Sequence, residues 1–257
     1  MSKVVYIAIL MLTVGIGGCG RSLKVVELDA DIDLGHLLGH INPVNDTSFS
    51  RVARPYADQD GLYLLDEVYD AFVEMHNAAK KDGITLVIIS ATRDFDSQKK
   101  IWEQKWTGAR LVEGQDLAKT VPDPIERARV ILKYSSMPGT SRHHWGTDID
   151  INSVENEYFE SGVGAKVFEW LAANADDFGF CQTYTPKGEG RPYGYEEEPW
   201  HWSYCPAAKR YLEQYLQQVT YDDIRGFKGS DTAAQMDVIA NYVRAINPKC
   251  LKPQDGQ

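Results

Sequence analysis

The stretch Ser141-Arg142-His143-His144-Trp145-Gly146-Thr147-Asp148-Ile149-Asp150-Ile151-Asn152 decides how the chain folds, because its second half alternates polar and apolar residues without a break. A period of two is the mark of a strand with two unlike faces. Asp148, Asp150 and Asn152 then share one face, and Ile149 and Ile151 point into a core. The stretch Glu198-Pro199-Trp200-His201-Trp202-Ser203-Tyr204 reads the same way from Trp200 onward, with Trp200 and Trp202 on one face and His201 on the other. Two such strands side by side bring Asp150 and His201 to one point. His143 reaches that point from the preceding loop, where Gly146 permits a sharp approach.

Outward from these strands the pattern is mostly helical. Apolar residues recur at helical spacing from Leu62 to Lys81, and Gly83 closes that segment. Ile84–Ile89 is a short β-branched run suited to a buried strand. Asp96–Trp106 and Pro124–Tyr134 read as helices, the second capped by Asp123 with Pro124 in its first position. Ala165–Phe178 is amphipathic, Gly179–Tyr184 is a further strand candidate, residues 185–199 form a loop, and Ala207–Val219 and Asp231–Ile246 read as closing helices. Helices flanking a small central antiparallel sheet make an α+β fold rather than a regular βαβ repeat.

The 257 residues suffice for one well-packed domain, and 43% hydrophobic with 25% charged residues is ordinary for a globular protein. A net charge of −10 excludes a nucleic-acid partner on electrostatic grounds, since phosphate binding needs a basic face. The start differs in kind. Lys3, an apolar run from Val4 to Ile16, then Gly17-Gly18-Cys19 form an export signal too short to span a bilayer as a mature helix. Small residues directly before Cys19 resemble a lipobox, which makes residues 1–18 a lipoprotein signal peptide and Cys19 the lipid attachment point. Residues 19–60 read as a tether and N-terminal arm, and residues 61–250 as the functional domain. The expected location is the cell envelope. Export makes the surroundings oxidising, so Cys181, Cys205 and Cys250 should give one disulfide and one thiol. Cys205 with Cys250 is the preferred pair, because it ties the C-terminal helices to the second strand.

His143, Asp150 and His201 are three side chains of the types that hold a catalytic zinc ion with an open position for water. Glu198, three residues before His201 across a proline turn, is placed to accept a proton from that water. The site therefore sits at the sheet, with one zinc per chain.

The string Ser141-x-His143-x-x-Gly146-x-x-x-Asp150 followed by Glu198-x-x-His201 resembles the D-alanyl-D-alanine carboxypeptidases of the VanY type, over about residues 60–215. That group of zinc peptidases also contains L,D-carboxypeptidases and D-Ala-D-Ala dipeptidases. The resemblance implies that the two histidines and the aspartate bind zinc and that Glu198 activates water. Ser90-Ala91-Thr92-Arg93, with Gln98 beyond it, extends the match. Arg93 is implied to steady charge on the peptide carbonyl, and Ser141 and Gln98 are implied to contact substrate. The implied partner is a peptidoglycan stem peptide losing a terminal D-alanine, by D,D or L,D cleavage or by cutting a crosslink. The different-class alternative is a non-catalytic peptidoglycan-binding envelope lipoprotein that reuses the fold. Asp148 departs from the family pattern, which has a small apolar residue there. Such a carboxylate is expected to alter substrate charge preference or to bond a neighbouring backbone.

Other conspicuous residues read as structural. His144 cannot easily point to the same metal as His143, so packing or a place at the substrate rim suits it better. His36 and His40 have helical spacing but lie among Gly35 and Gly39 without a third ligand. Glu196 and Glu197 belong to a solvated turn, and Trp145, Trp200 and Trp202 suit a core or cleft wall.

Overall fold

The computed structural model describes residues 31–251, so the expected export signal and Cys19 lie outside the described residues. Residues 31–60 are built into the core. The short helix α1 (Leu34–Leu37) and strand β1 (Phe49–Arg51) bury Leu37, Leu38, Phe49 and Val52. Strand β1 pairs antiparallel with β2 (Tyr63–Leu65), which leads directly into helix α2 (Asp66–Lys81). The expected helix thus begins four residues late, because Tyr63–Leu65 is taken into a two-stranded sheet. Helix α2 buries Val68, Phe72, Met75 and Ala79 and carries acids in its first turn and lysines in its last, in accord with its dipole.

Strand β3 (Ile88–Ser90) leads to helix α3 (Phe95–Trp106), whose N-terminus is capped by Asp94 accepting from Ser97 N at 2.7 Å. A single turn, α4 (Leu117–Thr120), precedes α5 (Pro124–Ile131), where Asp123 accepts from Ile125 N and Glu126 N as expected. Strand β4 (Asp148–Ile151) is followed by α6 (Asn156–Glu160), α7 (Gly162–Asn174) and strand β5 (Phe180–Gln182). Strand β6 (His201–Tyr204) runs straight into α8 (Cys205–Gln218).

Strands β3, β4, β6 and β5 make a four-stranded antiparallel sheet in that spatial order, so the expected α+β architecture with a small antiparallel sheet is what forms. Every residue of β4 is buried. Its alternation therefore does not separate core from solvent. It separates an apolar layer (Ile149, Ile151) from a polar, enclosed one (Asp148, Asp150).

The expected closing helix over Asp231–Ile246 does not form as one element. A single turn, α9 (Thr232–Gln235), is followed by Asp237 at φ 48° and then a π-helical turn, Ile239–Val243. The left-handed backbone at Asp237 breaks helical continuity, and its carboxylate accepts from the Tyr221 hydroxyl.

The preferred Cys205–Cys250 pair is also corrected. The bridge joins Cys181 to Cys250, with Cα atoms 5.7 Å apart, and Cys205 is a buried free thiol. The C-terminal turn is hydrogen-bonded to the end of β5: Asn247 donates from its backbone to Thr183 O and from its side chain to Gln182 O, both at 2.9 Å, and Cys205 lies beside the bridged pair. With the two cysteines 69 positions apart in the sequence, loss of the bridge in Cys250→Ser should cost up to about 4 kcal/mol by loop-closure entropy. Chemical denaturation reads that loss, and non-reducing peptide mapping should return the 181–250 linkage. A dominant 205–250 peptide would contradict the pairing.

Candidate metal centre

The sheet register aligns the site. Ser90 on β3, Asp150 on β4 and His201 on β6 are direct neighbours across three strands, and Asp148 stands opposite Ser203. Residues directly opposite on adjacent strands share a face, so Asp148, Asp150, His201 and Ser203 project to the same side. His143 comes from a 3₁₀ turn, Arg142–Trp145, that ends at Gly146 in the left-handed region at φ 79°. A Cβ at Gly146 would lie 2.5 Å from the Phe49 ring, so this position needs glycine for both conformation and space. The adjoining backbone is tied down as well, with Arg93 N donating to His143 O at 3.0 Å and Leu65 N to Gly146 O at 3.2 Å.

Each histidine has one ring nitrogen engaged outside the ligand cluster and the other facing Asp150. His143 Nδ1 pairs with the carbonyl of Ala91 at 2.9 Å, which makes it the donor and leaves Nε2 facing Asp150 Oδ2 at 3.4 Å. His201 Nε2 bonds Asp148 Oδ1 at 3.0 Å, leaving Nδ1 at 3.1 Å from Asp150 Oδ1 and 3.6 Å from Glu198 Oε2. One ligand atom from each of His143, Asp150 and His201 lies within 4.8 Å of the others, close enough to share one metal ion.

Glu198 is fixed by a tight turn: its N–H donates to Tyr184 O at 3.0 Å and its carbonyl accepts from His201 N at 3.2 Å. Burial pushes its carboxyl up to about 8; His201, Arg93 and Lys105 pull against the rise and Asp150 adds to it. A bound divalent cation would pull it back toward the ionised form. Burial works against charge on His201 too, but its bonds to Asp148 and Asp150 prevail and raise it to about 10. Burial depresses His143, with the Asp150 charge opposing.

The group lines a cavity of about 610 Å³ that also contains Arg93, Ser141 and Lys105. Arg93 is held in a fork, Nη1 donating to Gln98 Oε1 at 2.7 Å and Nη2 to Ser90 Oγ at 2.8 Å. Gln98 departs from the substrate-contact role expected of it. It is buried outside the cavity wall, and its amide is spent between Arg93 and Ser136 O, so it orients the guanidinium. Asp148 also departs from expectation, since it does not line the cavity and bonds side chains rather than backbone. His144 lies away from the metal group: Nδ1 bonds Arg93 O at 2.6 Å, and Gly139 N donates to Nε2 at 3.1 Å. His36 packs between Phe49 and Tyr211, and His40 lies against Phe95.

Sequence reasoning missed Lys105, Tyr184 and Arg142. Lys105 lies on α3, bonds Ser135 Oγ and is lowered by burial to about 8, a second cation in the cavity beside Arg93. Tyr184 packs its ring 4.7 Å from that of His201. Lys105 and Tyr184 carry no spacing signal, because each reaches the site only through tertiary packing, whereas Arg142 directly precedes His143 in the same turn and was given no role.

Among curated proteins, the chain is 32% identical over 170 residues to the putative carboxypeptidase YodJ of Bacillus subtilis (strain 168), covering 61% of this chain and 55% of that protein. It is 29% identical over 151 residues to a D-alanyl-D-alanine carboxypeptidase of Enterococcus faecalis, covering 56% and 52%. The chain thus spans about half the length of the curated relatives it matches. Among solved structures, a Zn(II)-bound mutant of the vancomycin-resistance D,D-pentapeptidase VanY aligns at TM-score 0.47 and 24% identity, covering 68% of this chain and 93% of that one. The LD-carboxypeptidase LdcB aligns at TM-score 0.47 and 20% identity, covering 79% of each. The family model described as VanY, D-alanyl-D-alanine carboxypeptidase, matches residues 61–207, which takes in Arg93, the turn at His143 and both strands that meet at Asp150 and His201. With more than half its length matched, the chain belongs to the VanY family.

Proposed function

We propose that this chain is a zinc-dependent carboxypeptidase that removes a terminal D-alanine from peptidoglycan stem peptides. The observation that carries the reading is the convergence of His143 Nε2, Asp150 and His201 Nδ1 within 4.8 Å, beside Glu198 and Arg93 in one cavity. The donor set fits zinc: two imidazoles with their second nitrogens already engaged, and one carboxylate held below its usual range, against burial, by the two histidines beside it. Zinc bound there would supply Lewis acidity, activating water and polarising the scissile carbonyl.

The chain's own groups supply the rest. Glu198 accepts a proton from the attacking water and returns it to the leaving amine. Arg93, fixed by Gln98 and Ser90, presents a guanidinium to the oxygen on which negative charge develops. Ser141, in the cavity wall beside His143, is assigned to substrate contact. Arg93→Lys keeps the charge but cannot reproduce the two-armed fork. It should lower kcat by about 100-fold or more with KM changed less, measured on a D-alanyl-D-alanine-terminated pentapeptide.

Reading products by mass after incubation with pentapeptide, tetrapeptide and crosslinked muropeptides tests the assignment. Loss of one D-alanine from pentapeptide supports D,D cleavage, and loss from tetrapeptide supports L,D cleavage. Cleavage of none of the three by zinc-loaded protein would overturn the proposal. Attachment to the envelope through a lipid on Cys19 is part of the same reading and rests on the signal sequence. Labelling with a fatty-acid probe in cells should be lost in Cys19→Ser.

A further inference from the structure

Asp148 is fully buried, and four side chains converge on its carboxylate. Arg142 Nε donates to Oδ1 at 2.9 Å, the Ser203 and Thr147 hydroxyls donate to Oδ1 and Oδ2, and His201 Nε2 lies at 3.0 Å from Oδ1. The shell is itself braced. Arg142 Nη2 donates to Ser203 Oγ at 2.9 Å, Thr183 Oγ1 donates to the same oxygen at 2.9 Å, and the Arg142 guanidinium lies 4.7 Å over the Trp145 ring.

An imidazole that binds metal through one nitrogen must carry its proton on the other, and the acceptor of that proton sets both tautomer and basicity. The two histidines differ here. His143 donates to a neutral backbone carbonyl, whereas His201 meets a carboxylate. A carboxylate accepts the stronger bond, and pairing with Arg142 keeps it charged inside the protein. Asp148 is not in the cavity wall and not in the ligand cluster, and His201 is the member of that cluster whose ring it bonds.

We propose that Asp148 is a positioning residue that locks His201 with its proton on Nε2 and Nδ1 bare toward the metal, and that Arg142, Ser203 and Thr147 hold the carboxylate for this task. The proposal rests on the zinc reading above and adds to it an acceptor that the ligand motif does not contain.

The test joins zinc affinity, measured by competition with a chromophoric chelator, to the ¹⁵N side-chain spectrum of histidine-labelled protein. In zinc-loaded wild type, the His201 Nε2 should be protonated and Nδ1 shifted to a metal-bound position. Asp148→Asn should bind zinc about 10- to 100-fold more weakly. Asp148→Ala should also allow the second His201 tautomer to appear. A purely structural ion pair with Arg142 would lower the melting temperature of these variants and leave zinc affinity and the His201 nitrogens unchanged, which would overturn the proposal. Metal bound to His201 through Nε2 in wild type would overturn it without any variant, should the substitutions fail to fold. Wild type that takes up no zinc would overturn the zinc reading, and this inference with it. Tight zinc with unchanged affinity in folded Asp148→Asn would overturn this inference alone.

Discussion

Glu198→Gln should lower turnover of a D-alanyl-D-alanine-terminated peptide by about 10²- to 10⁴-fold, the usual range for loss of a general acid–base group, with zinc content unchanged. Glutamine matches glutamate in size and keeps the turn in which Glu198 N and O bond Tyr184 and His201. It cannot take a proton from water. The folded state should not suffer, because burial pushes the native carboxyl up to about 8 and a neutral amide avoids that cost. The expected signature is therefore lost activity with a melting temperature equal to or above wild type. Near-normal turnover would remove Glu198 from the mechanism. Lost activity together with lost zinc would show that the side chain holds the metal instead.

Asp150→Ala should have the opposite profile, losing the metal first and activity as a consequence. Asp150 stands between the two histidines, at 3.4 Å from His143 Nε2 and 3.1 Å from His201 Nδ1. Removing it leaves two imidazoles that no longer share an anionic partner. Zinc affinity should fall by more than the about 100-fold that outer-shell partners command. Activity should vanish at zinc concentrations that saturate wild type and should not follow the Glu198→Gln pattern of full zinc content. Metal analysis of both variants, purified side by side, separates the proton-transfer role from the ligand role. Retained zinc in Asp150→Ala would exclude Asp150 from the coordination set.

Much of this was legible in the sequence because the residues involved obey a local rule. The alternation from Thr147 to Asn152 announced β4, and strand periodicity placed Asp150 and His201 on faces that could meet; the register then makes them direct neighbours. Asp94 was not read as a cap, but Asp123 and Pro124 were, since a cap and a first-turn proline are adjacent in the chain. What stayed hidden depends on tertiary neighbours. Strands β1 and β2 are three residues each, too short to show a period, and form only because each supplies the other's hydrogen bonds. The bridge of Cys250 to Cys181 forms where Asn247 bonds the end of β5, a tertiary contact that no spacing encodes. Asp237 broke the last helix through a single left-handed residue. Asp148 was rightly set on the face of Asp150, yet its direction of action was missed, because Arg142 and Ser203 turn it toward the back of His201 rather than the cavity.

The arrangement also explains why the site tolerates so much buried charge. Asp148, Asp150, Glu198 and Arg142 are buried and Arg93 half-buried beside them, and each would be costly alone in a protein interior. Here Arg142 pairs with Asp148, His201 bonds Asp150 while His143 Nε2 lies 3.4 Å from its other oxygen, and Arg93 rests on two polar side chains. Glu198 is the least compensated, since burial raises it despite His201 Nδ1 at 3.6 Å and the charges of Arg93 and Lys105. An under-compensated carboxylate facing a cavity is what a proton acceptor requires.

The most direct test of the central claim is anomalous diffraction at the zinc edge from crystals of the zinc-loaded protein. One peak per chain should appear about 2.0–2.2 Å from His143 Nε2, His201 Nδ1 and an Asp150 carboxylate oxygen. A peak centred elsewhere, for instance at the Cys205 thiol, or no peak at saturating zinc, would contradict the account.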